Sequence, residues 1–150
     1  MSFITDLAKG KKGEDLYYEH RKGEIERLDG LRSDFRCLTT GKGIEIKSDQ
    51  YSTQKTCNYF MEHIRNTTTG APGGPWQALA SGSDIFVYMY VNDLTYFTFD
   101  TTKLVERLNE IIIPIKPTNV YNASYITQGY KVPRDLLTDL ATMSIIKPKE

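Results

Sequence analysis

Asp34-Phe35-Arg36-Cys37-Leu38-Thr39-Thr40-Gly41-Lys42-Gly43-Ile44-Glu45-Ile46-Lys47 is the stretch on which the reading of this chain turns. Side chains alternate across a strand, so from Gly43 to Lys47 the two isoleucines share one face while Glu45 and Lys47 share the other. Isoleucines that enter a core pin the register and hold both charges in place. Asp49 joins the charged face if the strand runs on. Thr39-Thr40-Gly41-Lys42 suits a hairpin loop, with Asp34 to Leu38 as the strand that feeds it. A hairpin of that length brings the Asp34 carboxylate beside Glu45.

Outward from this hairpin, the pattern continues as short elements. Upstream, Ser2 to Ala8 has room for one or two helical turns before a break at Gly10-Lys11-Lys12-Gly13. Glu14 to His20 then reads as a helix, with acids in its first turn, Arg21-Lys22 at its end and Gly23 as its stop. Ile25 to Leu28 is a first strand, followed by the turn-like Asp29-Gly30. Downstream, Asn58 to Ile64 is a fourth strand, and the glycine- and proline-rich run from Asn66 to Pro75 reads as a flexible loop. Asp84 to Val91 and Thr95 to Phe99 form a strand pair across an Asn92-Asp93 turn. Thr101-Thr102 is placed to cap a helix from Lys103 to Glu110, whose apolar stripe is Leu104, Val105 and Leu108. Pro114 and Pro117 break the chain, and a last helix is expected from Pro133 to about Leu140. The order implies a single α/β domain over residues 1–150 with a mixed central sheet.

Composition sets limits. A chain of 150 residues buries a core without staples. No apolar run is long enough to span a bilayer, and the N-terminus lacks the layout of a secretion signal. Cys37 and Cys57 are too few for a disulfide framework and too far apart for a metal knuckle, which suits reduced thiols in the cytoplasm. The formal net charge is zero, and residues 1–47 carry ten Lys/Arg against nine Asp/Glu. Proteins that bind nucleic acid usually carry a basic surplus. Clustered carboxylates that hold a cation offset part of that expectation.

Two carboxylates and an ammonium on one patch make a site for a hard cation. Magnesium prefers oxygen ligands and is held by one or two carboxylates together with substrate phosphate. Asp34, Glu45 and the Ile46 carbonyl are the candidate ligands, with manganese as a possible substitute for magnesium. A charged Lys47 positions the attacking water and stabilises developing negative charge; service as the general base is the second choice. Taken alone, Glu-x-Lys on a strand is far more often a solvated face, here one in which Lys47 pairs with Asp34 across the strands.

The wider pattern resembles the PD-(D/E)XK nuclease superfamily. Asp34 followed by Glu45-x-Lys47 matches its signature, and Gly13-Glu14 is similar to the glutamate on the first helix of many members, including Holliday-junction resolvases. Glu45-x-Lys47-x-Asp49, Thr56-x-Asn58, Glu62 and Gly82-Ser83-Asp84 before an aromatic strand look like a bacterial and phage branch. Ser33 stands where the signature has proline, and the Asn66–Ser81 segment is longer than expected. The resemblance implies a restriction-endonuclease-like mixed central β-sheet flanked by helices. It also implies magnesium-dependent hydrolysis of DNA, duplex or branched, with Glu14 assisting Asp34, Glu45 and Lys47. A homodimer in a bacterial or phage-infected cytoplasm follows from the same source. The competing expectation is a non-catalytic module that binds nucleic acid or protein and keeps the fold.

Other residues carry plainer expectations. Asn58 and Glu62 share a strand face and either support the site or make surface hydrogen bonds. Asp84 reads as a strand-start or turn acceptor. His20 and His63 lack zinc or triad spacing and read as surface histidines. Gly41-Lys42-Gly43 lacks the spacing of a phosphate loop. Tyr88, Tyr90 and Tyr96 fall at strand periodicity and are expected to pack the sheet. Trp76 and its glycine-rich neighbours are either a mobile flap on DNA or a plain insertion. Lys9, Lys11, Lys12, Arg21 and Lys22 are the nearest approach to a basic patch.

Overall fold

Ile85-Phe86-Val87-Tyr88-Met89-Tyr90 is apolar on both faces, and a strand of that kind belongs in the middle of a covered sheet. It does so here. The computed structural model describes residues 3–28, 33–51 and 53–147. In chain order the elements are α1 (Phe3–His20), β1 (Ile25–Arg27), β2 (Phe35–Cys37), β3 (Gly43–Asp49), β4 (Asn58–Asn66), β5 (Ala71–Pro72) and α2 (Gly74–Ala80). They continue with β6 (Ile85–Tyr90), β7 (Thr95–Asp100), α3 (Thr101–Ile111), β8 (Thr118–Tyr121), β9 (Ile126–Pro133) and β10 (Thr142–Ile145). The six-stranded central sheet has the order β1-β2-β3-β6-β7-β10 and is mixed: β3 and β6 run parallel, and the other neighbours are antiparallel. The chain is therefore mixed α/β. No helix among the described residues is long and apolar enough to cross a membrane.

Each face of the sheet has its own core. Ile44 and Ile46 point to the α1 side and pack with Tyr17, Phe35, Val87, Met89 and Tyr96. The opposite face carries Phe86, Tyr88, Tyr90 and Phe99, covered by Leu104 and Leu108 of α3, Ala78 of α2, and Tyr59 and Met61 of β4. Tyr88, Tyr90 and Tyr96 are all buried, as their strand periodicity implies. β4 belongs to a second, antiparallel sheet of order β5-β4-β9-β8. Backbone groups at the start of β4 find tyrosine hydroxyls: the Phe60 N–H donates to Tyr88 Oη at 2.9 Å, and Tyr90 Oη–H donates to the Asn58 carbonyl at 2.7 Å. Tyr88 Oη–H in turn donates to Asp49.

Several boundaries differ from those read off the sequence. The two short helices expected around Gly10–Gly13 are one helix, because the glycines cost roughly 1 kcal/mol each without stopping it. Gly13 has a packing reason: a Cβ there would lie 1.8 Å from Ser48 Oγ on β3. The expected flexible loop at 66–75 is a turn, β5 and the start of α2, which opens on Pro75 near its first position. The cap of α3 is Asp100, whose carboxylate accepts the Lys103 N–H at 3.0 Å, and not Thr101-Thr102. The helix expected from Pro133 is absent. Pro133 ends β9, where a missing donor is tolerated, and only a short 3-10 turn over Arg134–Leu137 follows. The Asp29-Gly30 turn lies outside the described residues.

The close approach of α1 to β3 makes a testable statement. Gly13→Ala, despite alanine's better helix propensity, is expected to lose stability through the clash, and removing Ser48 Oγ in the same chain is expected to recover about 1 kcal/mol or more. Urea unfolding of Gly13→Ala, Ser48→Ala and the double variant measures this coupling; strictly additive changes would contradict the contact.

Candidate active site

Buried Ile44 and Ile46 fix which way their neighbours point, so Glu45 and Lys47 emerge together on the other face of β3. Their partners in β6 are Phe86 and Tyr88. β2 and β3 pair only through Phe35↔Ile44 and Arg36↔Gly43. Beyond that point the ladder is replaced by a side chain: Asp34 Oδ2 accepts the Ile46 N–H at 2.9 Å, while the Asp34 N–H donates to the Ile44 carbonyl at 3.0 Å. Asp34 thus lies alongside Glu45, on the near side of the sheet. A residue's N–H and C=O point to the same side of a strand, so the Ile46 carbonyl faces the same gap.

Ser33, where the signature has proline, anchors the start of this segment. It is buried, and its hydroxyl lies 2.6 Å from Ser83 Oγ just before β6. Asp84 accepts the Gly43 N–H at 3.1 Å and so ties the head of β3 to the head of β6. That is a structural role.

Glu14 arrives from α1. Its carboxyl and that of Glu45 each hydrogen-bond with Asp34, which makes Asp34 the middle member of a carboxylate trio. Burial, reinforced by the Asp34 charge and hydrogen bond, pushes Glu45 up to about 8, with Lys47 pulling the other way. The same causes push Glu14 up to about 7, with Arg27 opposing. Crowding three acids around a half-buried gap makes their ionisation mutually costly. Among the described residues, no group of three or more His, Cys, Asp or Glu side chains forms a ready-made metal cage. The trio is a row sharing hydrogen bonds, not a closed shell. Asp34, Glu45 and the Ile46 carbonyl are the oxygen donors at the gap.

Lys47 Nζ lies 3.8 Å from Glu62 Oε1 on β4. Of the two residues with an open role, Glu62 therefore reaches the site, whereas Asn58 uses its carbonyl to receive Tyr90. Asp49 has both carboxylate oxygens engaged, one by the Tyr88 hydroxyl and the other by the Tyr51 N–H at 2.8 Å.

No protein-family model matches the chain, and no curated protein matches it. The assignment of this site rests on its residues and their geometry.

The remaining candidates fall outside the trio. Of the expected basic patch, Lys11 and Lys12 are exposed on α1, but Arg21 is paired with Glu24. The Lys9 side chain lies outside the described residues. His20 Nδ1 lies 2.9 Å from Tyr96 Oη. His63 is half-buried, not a surface histidine; its ring packs tilted against Trp76 with centroids 4.4 Å apart, and burial lowers its pKa. Trp76 sits on α2, packs against the core and donates its indole N–H to Asn109 at 2.9 Å, so it is no mobile flap. Cys37 and Cys57 are free thiols.

The trio gives a signed pH dependence. Glu14 and Glu45 hold protons more tightly folded than unfolded, so the stability they allow is full below about pH 4.5 and is lost as pH rises from there through about 7 to 8. Urea midpoints measured in chelator from pH 5 to pH 9 are expected to fall, and Glu45→Gln is expected to flatten the fall. A rising or level wild-type profile would contradict the arrangement.

Proposed function

We propose that this chain is a magnesium-dependent DNA endonuclease with a restriction-endonuclease-like fold, Asp34 and Glu45 serving as metal ligands and Lys47 at the attacking water. The observation that carries this reading is the juxtaposition of the Asp34 and Glu45 carboxylates at the gap between β2 and β3, with Lys47 one strand position onward on the same face. The pattern is the one that the PD-(D/E)XK resemblance requires.

The donors suit the ion. All are oxygens, and two carboxylates with a carbonyl match a magnesium site that leaves positions for water and substrate phosphate. Burial and the neighbouring Asp34 charge raise Glu14 and Glu45, and a divalent cation at the gap would relieve the repulsive part. Bound magnesium would supply charge neutralisation at the scissile phosphate and acidify a coordinated water. Asp34, tied to the Ile46 N–H, keeps its carboxylate at the gap. Glu45 is held by the register of β3, and Glu14 adds negative charge from α1. Lys47, with its side chain 41% exposed, is open enough to orient a water and to stabilise negative charge on the phosphate.

Incubation with plasmid and branched DNA, with and without magnesium, tests the reading. The wild type is expected to cut only with the metal, and Asp34→Asn, Glu45→Gln and Lys47→Ala are each expected to lose about 10²–10³-fold in kcat. Magnesium is also expected to raise the urea midpoint at pH 9, above the values to which Glu14 and Glu45 are raised, and not in Asp34→Asn. A wild type that neither cuts nor gains stability sinks the proposal.

A second reading has its own support. Net charge is zero, and Glu14 and Glu45, both raised and each hydrogen-bonded with Asp34, form a self-contained cluster needing no metal. A non-catalytic binding module of the same fold predicts retention of nucleic acid or protein without cleavage. Dimerisation and a bacterial or phage cytoplasmic setting belong with the nuclease reading.

A further inference from the structure

Glu62 is built into its place from two sides. Its side chain is 16% exposed, and its two oxygens are divided: Oε2 accepts the Gly74 N–H at 3.2 Å, and Oε1 faces Lys47 Nζ at 3.8 Å. The Gly73-Gly74 turn at the head of α2 is shaped around it. A Cβ at Gly73 would lie 2.3 Å from Glu62 Oε2, and one at Gly74 would lie 2.5 Å from the Glu62 carbonyl oxygen. Gly74 also has φ +49°, whereas Gly73 has φ −129° and ψ 175°, a backbone that any residue adopts. At Gly73, therefore, it is the carboxylate that demands glycine.

Lys47 needs such a partner. Its long stem has many rotamers, Glu45 shares its face of β3, and Asp34 and Glu14 meet Glu45 at the adjoining gap. An ammonium left to itself would settle among the Glu14, Asp34 and Glu45 carboxylates and occupy the position of a cation there. A fixed anion on β4 draws it to one side. The 3.8 Å separation is longer than a hydrogen bond, so Lys47 is oriented by charge and keeps its donors for other acceptors.

We propose that Glu62, seated by Gly73-Gly74, is a positioning residue that holds the Lys47 ammonium away from the carboxylate trio and ready for the phosphodiester; this rests on the nuclease reading. Glu62→Gln keeps an acceptor for the Gly74 N–H and removes only the charge. Gly73→Ala leaves charge and backbone intact and displaces the carboxylate. Steady-state cleavage of DNA in magnesium is measured for the wild type and both variants, with thermal midpoints alongside. Both variants are expected to lose about 10- to 100-fold in kcat, with little change in KM, and Glu62→Gln is expected to keep the wild-type midpoint. Glu62→Asp, which restores the charge, is expected to recover part of the loss. If the wild type cuts and Glu62→Gln cuts equally fast, Glu62 is a structural acceptor only and the proposal falls while the nuclease reading stands. If the wild type cuts nothing under any condition, the nuclease reading falls and takes the positioning role with it.

Discussion

Burial of Ile44 and Ile46 beneath α1 is the constraint on which the rest depends. It fixes the register of β3, and register decides which side chains share a face. A slip of one residue would send Glu45 and Lys47 into the apolar layer and turn the isoleucines toward solvent, at a cost no single polar contact offsets. The parallel partner β6 repeats the constraint, since Ile85, Val87 and Met89 accompany Ile44, Ile46 and Ser48 on the α1 side. Charges on β3 are thus held by the hydrophobic effect acting on their neighbours. The electrostatic strain of the trio is tolerated because the apolar layers on both faces hold the backbone in place.

The close helix–strand approach at Gly13 extends the same logic to Glu14. Without a side chain at Gly13, α1 comes down onto Ser48, and the next residue along the helix reaches Asp34. Asp34 itself is placed by an exchange of partners in which a carboxylate oxygen takes the Ile46 N–H that a continuing β2 would have bonded. The end of a short strand pairing is therefore what opens the gap.

Much of this was legible in the sequence. Period-two alternation from Ile44 to Lys47, the aromatic run at Ile85–Tyr90 and the stripe of Leu104, Val105 and Leu108 each gave an element of the right type in nearly the right place. The second sheet was not legible as a sheet. Half-buried β9 alternates through Thr127, Gly129 and Lys131 on one face, where no aliphatic residue marks the period, and Pro133 reads as a helix start until its pairing with Asn58 is seen. In the site, the local pair Glu45-x-Lys47 was plain from spacing. Glu62 showed only as a residue with an open role, because its contact with Lys47 depends on how β4 crosses the face of another sheet. The Gly73-Gly74-Pro75 run looked like slack. It is instead a tight seat, and only the atoms opposite a missing Cβ distinguish the two.

The crossover between the parallel strands β3 and β6 has a further consequence. A parallel pair needs only a connection that returns to the correct end of the sheet. Here that return carries β4, β5 and α2, and β4 is joined to the central sheet through the hydroxyls of Tyr88 and Tyr90. The excursion is also packed through Tyr59, Met61 and Ala78 into the core that covers this face, so it is as firmly seated as the strands it links. Glu62 therefore reaches Lys47 by way of the very crossover that the parallel pair requires, and the connection delivers a side chain as well as closing the topology.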